Sequence, residues 1–263
     1  MTGEWRAAAG ALLALLYPEQ GLCQLCGQPL AGREPGAEAA RRLARFLPDP
    51  PSLCRDCLAS VAEESGVCPR CGRPAPPAPG SPAGPVQACP ECVAHPPVAA
   101  RLRCVGVYQG ALREAVLALK HGGRTDLARV LGRLMALRLR EGLAAPDLLV
   151  PMPPSRNGLR RRGYNQAALL AREAAAPWRL PVQPLLRGVD PSGQEGRARE
   201  MRRFARAGRF AVDVEVAGAR LLLIDDLYAT RATLDAAAEA LYAAGAARVE
   251  ALVAAAPLYT GSR

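Results

Sequence analysis

Aromatic residues and lysine are both scarce in this sequence of 263 residues. Phe, Trp and Tyr together make up only 4% of the chain, although 50% of its residues are hydrophobic. The core must therefore be filled by Leu, Val and Ala, and arginine rather than lysine must carry the positive charge. A chain of this length and composition predicts one α/β domain with a small appendage.

A long hydrophobic run is missing as well. The longest apolar stretch near the start, Ala7–Leu16, has about half of the ~20 residues that a membrane span needs. No small-x-small cleavage site follows it, as a signal peptide would require. We therefore expect a lead-in helix over residues 1–20, no membrane span and a cytoplasmic location. Peripheral attachment at the inner face of the membrane is left open.

Negative charge is in deficit, because the formal net charge is +10. Such a surplus of positive charge favours anionic partners, with nucleic acid and phosphorylated substrates first. A generic basic surface is the alternative, so charge alone does not decide the function.

Eight of the nine cysteines form Cys-x-x-Cys pairs within residues 21–95. Since no secretion signal precedes them, metal binding is favoured over disulfides or thiol redox chemistry. Two such pairs close a tetrahedral zinc site, and a site filled by four thiolates has no open position for water, which indicates structural zinc. Pairing in sequence order gives two sites, and a crossed pairing (first with third pair) stays open. The two sets are Cys23, Cys26, Cys54 and Cys57, and Cys68, Cys71, Cys89 and Cys92.

Residues 1–98 are therefore predicted to form a zinc-binding module with its lead-in helix. Between the first two cysteine pairs, Ala37–Phe46 is predicted to be helical. Between the third and fourth pairs, Pro74–Pro85 is predicted to be a flexible surface loop. His95 is not needed for either site and is expected to be solvated.

Strand and helix patterns alternate from Ala99 onwards, which predicts a parallel-sheet domain over residues 99–263. Cys104 falls in its first strand and is expected to be a core residue. The predicted strands are Leu102–Tyr108, Leu148–Met152, Val182–Leu186, Phe210–Val216, Leu221–Ile224 and Val249–Ala254. The predicted helices are Gly110–Leu119, Leu127–Glu141, Ala167–Ala176 and Leu234–Ala244.

One stretch combines a buried strand with an acidic edge. Asp225 and Asp226 follow four aliphatic residues, and the small polar loop Ala229–Thr233 leads into the next helix. Backbone N–H groups and the dipole at such a helix start favour an anion, while the carboxylates suit sugar hydroxyls or Mg²⁺. A buried strand with a solvated acidic end is the alternative.

Two further segments are basic. Ser155–Gln166 contains four arginines directly after a strand, at the edge of the sheet where α/β proteins bind ligands. Gly188–Gly208 is polar and basic without an apolar period, which indicates either a mobile flap over an anionic substrate or disorder. A solvated basic loop is the alternative for the first segment.

A ligand with a phosphate and a pyrophosphate on one sugar would use all of these loops. Its terminal phosphate would lie on Ala229–Thr233, its sugar hydroxyls on Asp225 and Asp226, and its pyrophosphate on Arg156–Arg162. Residues 225–233, DDLYATRAT, resemble the signature of the type I phosphoribosyltransferases, which bind phosphoribosyl pyrophosphate (PRPP).

Most of residues 12–256 resembles the ComF/GntX competence family. The matching stretches run in family order and include LLYPEQGLCQLCG, LALKHGGRTDLARVLGRLM and LVPMPPSRNGLRRRGYNQAALLA. The resemblance implies a type I phosphoribosyltransferase-like parallel-sheet domain with an N-terminal four-cysteine zinc-binding module. It also implies a role in handling single-stranded DNA during natural transformation, with proteins of the DNA-uptake machinery as partners.

The resemblance implies site residues as well. Asp225 and Asp226 would be catalytic, with Mg²⁺ bound beside PRPP in an active site. The PRPP and phosphate contacts would come from Tyr228, Ala229, Thr230, Arg231, Ala232, Thr233, Arg156 and Arg162.

Three positions depart from the family pattern. The family usually has Thr-Thr-Gly where this chain has Ala229, Thr230 and Arg231, and Asn where it has Ala205. Arginine in place of glycine either obstructs the phosphate pocket or offers its guanidinium to the phosphate. Three functions stay open: a competence factor that binds single-stranded DNA and PRPP with little turnover, an active phosphoribosyltransferase in nucleotide salvage, and a zinc-stabilised scaffold. Whether the chain is an enzyme is undecided.

Overall fold

The computed structural model describes residues 21–36, 41, 44–45, 47, 50–60, 67–73, 88–139, 143–189, 209–228 and 231–258. Five predictions fall wholly or mostly outside these ranges. They concern the lead-in helix, the helix Ala37–Phe46, the loop Pro74–Pro85, the basic segment from residue 190 to residue 208 with Ala205, and the loop residues Ala229 and Thr230.

Six strands are present in the described part of the chain. They are β1 Leu102–Val107, β2 Leu148–Pro151, β3 Leu186–Gly188, β4 Phe210–Val212, β5 Arg220–Leu227 and β6 Arg248–Ala256. Four of them form a parallel sheet in the order β1-β6-β5-β2, and β3 and β4 form a separate antiparallel ribbon.

The described α-helices lie before and between these strands. They are α1 Arg55–Ala59, α2 Pro90–Ala94, α3 Gly110–His121, α4 Leu127–Leu139, α5 Arg156–Arg162, α6 Gln166–Ala175 and α7 Arg231–Ala243, and a 3₁₀ turn covers Ala176–Trp178. None of the helices among the described residues is both long and apolar enough to cross a membrane.

Helices cover both faces of the parallel sheet. Leu222 and Ile224 of β5 belong to the core that contains the apolar residues of α3, α4 and α6. Leu221 and Leu223 belong to the opposite core, which contains those of α7. The uninterrupted aliphatic run is therefore buried on both sides, as expected for a central parallel strand. Cys104 is buried as predicted.

The acidic pair lies within the strand rather than beyond it. β5 continues to Leu227 because its pairing with β6 persists through Asp225 opposite Val253 and Leu227 opposite Ala255. The prediction that the strand ends at Ile224 is therefore wrong. Helix α7 begins at Arg231, three residues before the predicted start.

Two other predicted strands differ from the structure. Val182 forms only a single bridge, to Leu149, and the third strand is β3 instead. The strand that begins at Phe210 ends at Val212 rather than Val216.

The segment Ser155–Gln166 is not an open loop. Ser155 Oγ accepts a hydrogen bond from Gly158 N (3.0 Å) and so caps α5, which ends at Gly163 in the left-handed region. Asn165 Oδ1 then accepts from Ala167 N (3.0 Å) and caps α6. These are residue types that favour helix ends, and they divide the segment into two helices.

Candidate functional site

The eight paired cysteines gather into two clusters. In each, four Sγ atoms lie within 4.8 Å of one another, and the sets are those of sequence-order pairing. We call Cys23, Cys26, Cys54 and Cys57 the first cluster, and Cys68, Cys71, Cys89 and Cys92 the second cluster. The predicted pairing is confirmed, and the crossed arrangement is excluded.

The spacing of the sulfur atoms is compatible with zinc. Cys26 Sγ lies 3.9 Å from Cys54 Sγ, and Cys71 Sγ lies 3.8 Å from Cys89 Sγ. A tetrahedron with Zn–S bonds of about 2.3 Å has edges of about 3.8 Å. A disulfide would instead need an S–S distance of about 2.05 Å. Each cluster can therefore hold a metal ion.

Local hydrogen bonds prepare the second cluster for a metal. Gly72 N donates to Cys68 O (2.8 Å), and Cys89 N donates to Cys68 Sγ (3.3 Å). A hydrogen bond from Cys71 lowers the pKa of the Cys68 thiol to about 4. The thiolate, which is the form that binds metals, is thereby favoured at Cys68, while the same contact raises the pKa of the Cys71 thiol. His95 is exposed and belongs to neither cluster.

A cleft of about 210 Å³ lies at the carboxyl ends of β2 and β5. This is the edge of the sheet where α/β proteins bind their ligands. The residues lining it are Lys120, Met152, Pro153, Pro154, Ser155, Arg162, Gln166, Phe210, Asp225, Asp226, Leu227, Thr233 and Leu234. The cleft thus brings the predicted acidic pair together with the predicted Arg162 and Thr233.

The two carboxylates have different surroundings. Burial raises the pKa of Asp225 well above its usual range, and the neighbouring Asp226 raises it further. Asp226 is only 2% exposed, and its Oδ2 lies 3.3 Å from Lys120 Nζ in an ion pair. That oxygen has no hydrogen-bond partner among the described residues. The acidic end of β5 can therefore accept a further donor or a cation.

Lys120 and Gln166 are functional candidates that the sequence did not single out. Lys120 is the only lysine in the sequence, which was the one available signal. Gln166 is 6% exposed, and its Oε1 has no hydrogen-bond partner in the described part of the chain. A buried acceptor without a partner on the wall of a cleft is costly unless a ligand or water bonds to it.

Arginines border the cleft on two sides. Arg162 folds back over Gly158, where a Cβ atom would lie 2.5 Å from Arg162 Nη2, so glycine leaves room for the guanidinium. On the other side, Arg209 Nη1 donates to Thr233 Oγ1 (3.4 Å). Arg162 thus lines the cleft together with the acidic pair, and Arg209 reaches the cleft through its contact with Thr233.

The antiparallel ribbon of β3 and β4 brings Val189 and Arg209, which flank residues 190–208, to the side of the cleft. Val189 N donates to Arg209 O (2.9 Å), and β4 supplies Phe210 to the cleft wall. The residues that follow β3 and precede β4 therefore begin and end beside the cleft.

The remaining predicted site residues lie elsewhere. Tyr228 is buried, with the Arg73 guanidinium 5.4 Å from its ring centroid. Arg231 Nη1 donates to His95 O (2.6 Å), which directs this side chain away from the cleft. Ala232 and Arg156 are exposed and do not line the cleft.

The cleft can bind and orient a ligand that has both anionic and hydroxyl groups. Carboxylate oxygens suit hydroxyls or a hard cation such as Mg²⁺. Asp226 Oδ2, which has an ion pair with Lys120 but no hydrogen-bond partner among the described residues, fits such a cation. Lys120, Arg162 and Arg209 supply positive charge. The described lining residues include neither His nor Cys. The chemistry that the charged lining residues can support includes positioning of a ligand and stabilisation of developing charge.

Comparison with known proteins finds relatives with names that concern DNA and competence. The chain is 30% identical over 239 residues to the DNA utilization protein YhgH of Salmonella typhi, a match that covers 88% of this chain and 94% of that protein. It is 27% identical to the competence protein ComFC of Bacillus subtilis, over 79% of this chain and 84% of that protein. It is 26% identical to competence protein F of Haemophilus influenzae, over 62% of this chain and 76% of that protein. No protein-family model matches the chain.

Proposed function

The chain belongs to the ComF-like competence family, and we propose that it acts in DNA uptake by binding single-stranded DNA at a basic surface and a PRPP-type ligand in the cleft. The observation that carries the DNA part is the similarity, over most of the chain, to proteins named for DNA utilization and competence. Proteins of the DNA-uptake machinery are the proposed partners.

A basic rim beside the cleft supports DNA binding. It comprises Arg156, Arg160 and Arg161 of α5 and His121 at the end of α3, all exposed. Arg161 Nη2 lies 3.4 Å from His121 Nδ1, which joins the two helices. Contacts from such side chains go to phosphates, so binding should be tolerant of sequence and sensitive to salt.

Base stacking has little support at this rim. Tyr164 is the nearby aromatic residue, but it is half-buried and its hydroxyl donates to Leu119 O. Its ring is therefore not a free platform for bases, and electrostatic contacts with phosphates should dominate.

The cleft supports the PRPP-type ligand. Asp225 and Asp226 would face the sugar hydroxyls, with Mg²⁺ beside them, while Arg162 and Lys120 would face the pyrophosphate. Thr233 would contact the terminal phosphate together with the first turn of α7. Under this assignment, residues 99–263 form a type I phosphoribosyltransferase-like domain, and residues 1–98 form its zinc-binding module.

Single-stranded DNA binding is tested by fluorescence anisotropy with a labelled oligothymidylate over a series of salt concentrations. Each phosphate contact contributes about −0.7 to the slope of log K against log salt. Substituting Arg160→Ala and Arg161→Ala together should weaken binding and flatten this slope by about one unit or more. Arg172→Ala is the matched control, because Arg172 is an exposed arginine near the far end of α6. Binding that is absent, or that does not respond to salt, contradicts the DNA role.

An active phosphoribosyltransferase is the second candidate, and the acidic pair beside Lys120 favours it. The reaction would break the bond between C1 of the ribose and pyrophosphate, and the incoming nucleophile would form the new bond to C1. Mg²⁺ would supply charge neutralisation on the leaving pyrophosphate. Release of pyrophosphate from PRPP, compared between the wild type and Asp226→Asn, tests this candidate. Equal rates in the two proteins would exclude it.

A further inference from the structure

Arg231 stands where the family usually has glycine. Its side chain contacts the part of the chain that carries Cys89 and Cys92 of the second cluster. Its Nη1 donates to His95 O (2.6 Å), and its Nε donates to Asp235 Oδ2 (3.1 Å). The side chain is only 18% exposed. We propose that Arg231 is a positioning residue that couples metal occupancy of the second cluster to the first turn of α7. Through that turn it would affect the Thr233 side of the cleft.

The contacts of Arg231 extend directly to the metal-binding segment. Glu91 lies between the ligands Cys89 and Cys92 on α2, and its Oε1 is 3.8 Å from Arg231 Nη1. Asp235 Oδ1 accepts from Val98 N (3.0 Å), so the same turn of α7 is held at a second point just after α2. Residues 91–98, which begin within α2 and end just after it, are thus joined to α7 at both ends.

The chain before residue 229 is held by the same cluster. Arg73 follows Cys71 by two residues, and its guanidinium lies over the Tyr228 ring and forms an ion pair with Glu91. Tyr228 therefore contacts Arg73, and Arg231 contacts Glu91. Both partners lie within two residues of a cysteine of the second cluster. The second cluster holds the chain on both sides of residues 229–230.

Charge explains why the coupling depends on the metal. A cation at a helix N-terminus opposes the helix dipole, so Arg231 needs negative partners. Asp235 is one, on α7 itself, and Glu91 is the other. Helix α2 has five residues, far fewer than a helix needs to persist alone, so its two cysteine ligands must fix it. Losing the metal releases Glu91 and the His95 carbonyl together.

The first cluster provides an internal control. Its cysteines lie in the core on the α3, α4 and α6 face of the sheet, whereas α7 packs on the opposite face. The two clusters have the same ligand set, so they differ mainly in what they contact. Loss of metal from the first cluster should not reach the first turn of α7.

Coupling between two positions is reciprocal in free energy. If the metal stabilises the contacts of Arg231, those contacts must strengthen metal binding by the same factor. Couplings of this kind are typically about 5- to 150-fold. The consequence for ligand binding in the cleft rests on the proposed function, but the coupling itself needs neither PRPP nor DNA.

The first test is a competition titration of zinc-loaded protein with a chelator. Arg231→Gln should lower the affinity for one of the two zinc equivalents by about fivefold or more and leave the other unchanged. Arg220→Gln is the matched control, since Arg220 also forms an ion pair (2.7 Å to Asp147) but lies at the start of β5. Unchanged affinities, or an equal loss at both equivalents, would overturn the coupling.

The second test is hydrogen exchange over residues 231–237, the first two turns of α7, read by mass spectrometry. The amides from residue 235 onward report on the first turn, because they donate to its carbonyls. In the wild type, removing zinc should speed exchange in this first turn, and zinc-loaded Arg231→Gln should already exchange at the faster rate. Glu91→Gln, which keeps the arginine, should give an intermediate rate. A first turn that is equally protected with and without zinc would overturn the proposal. So would a Cys26→Ser variant that speeds exchange as much as Cys92→Ser does. Because neither test uses a ligand, failure here leaves the DNA and PRPP results standing, and the reverse also holds.

Discussion

Lys120 Nζ lies 3.3 Å from Asp226 Oδ2, so the last turn of α3 supplies a positive charge to the buried acid of β5. The same lysine lowers the pKa of Asp225, but burial and the Asp226 carboxylate outweigh it. One cation is thus shared by two acids. The cleft has negative charge that a bound cation or a protonated group would relieve.

Replacing Asp225 by asparagine should stabilise the protein at neutral pH. The folded-state pKa of Asp225 is raised, so the folded chain binds this proton more tightly than the unfolded chain does. Stability from this group is then lost as pH rises from the ordinary carboxyl pKa through the raised one. Thermal melting should show Asp225→Asn above the wild type by about 2–4 °C at pH 7, which corresponds to about 1 kcal/mol.

The advantage of Asp225→Asn should disappear at about pH 2.5, well below the ordinary carboxyl pKa, where the carboxyl is protonated in both states. Asp213→Asn serves as the control, because Asp213 is an exposed acid paired with Arg187, and such surface pairs contribute little. A lower melting temperature of Asp225→Asn at pH 7 would show that the charged form is stabilised in the fold.

Gln166→Leu should separate stability from ligand binding. The substitution removes a buried acceptor that has no partner among the described residues, so stability should stay equal or rise. PRPP affinity, measured by calorimetry with Mg²⁺, should fall about fivefold or more if Oε1 faces the ligand. Gln183→Leu, at an exposed position, should change neither quantity. A destabilised Gln166→Leu with normal PRPP binding would assign Gln166 a structural role instead.

Arg231→Gly restores the family's usual residue, yet it should weaken PRPP binding rather than improve it. The glycine removes the contacts to His95 and Asp235 that hold the first turn of α7. Calorimetry with PRPP and Mg²⁺ on both proteins measures the effect. Ala232→Gly, at the next and exposed position of α7, controls for the helix cost of glycine of about 1 kcal/mol. Tighter binding by Arg231→Gly would mean that the arginine obstructs the site.

Gly72→Ala should be much more destabilising than Gly27→Ala. Both glycines follow a cysteine ligand in the left-handed region, with φ of 62° and 72°. A Cβ at position 72 would lie 2.4 Å from Leu102 O, whereas position 27 has nothing within 4 Å. In urea unfolding of the zinc-loaded protein, Gly27→Ala should cost about 1–2 kcal/mol from backbone strain alone. Gly72→Ala should lose the same strain energy and, in addition, the free energy needed to displace β1. Equal losses of unfolding free energy in the two variants would contradict the close packing of Gly72 against β1.

Local patterns were enough to predict most of the parallel sheet and its helices. The aliphatic run before Asp225 and the amphipathic stretch after Gly110 identify their elements without tertiary information. The gathering of eight cysteines into two four-thiol sites was predictable too, because two Cys-x-x-Cys pairs close one site. Ligand spacing left the crossed pairing open, and the structure excludes it. The carboxyl end of β5 was not predictable from local patterns, because pairing with β6 extends the strand through Asp226.

The short helix α5 was missed although its caps are visible in the sequence. Ser155, Gly163 and Asn165 stand at helix-end positions, but four arginines and two glycines in the same segment are also typical of a basic loop with a shaped backbone. The contact of Arg231 with Glu91 joins residues 140 positions apart. Sequence periodicity carries no information about such a pair, because it depends on how the second cluster docks on the sheet.

The position of β6 has a consequence for synthesis of the chain. β6, Arg248–Ala256, is the last strand in sequence order, yet it lies between β1 and β5 and bonds to both. While the ribosome is still making residue 247, β1 has no neighbour in the sheet and the aliphatic edge of β5 is bare. The nascent protein must keep these edges from pairing with other chains until β6 emerges. A premature stop before residue 248 would leave two unjoined halves, and the released product should aggregate rather than fold as a shortened version.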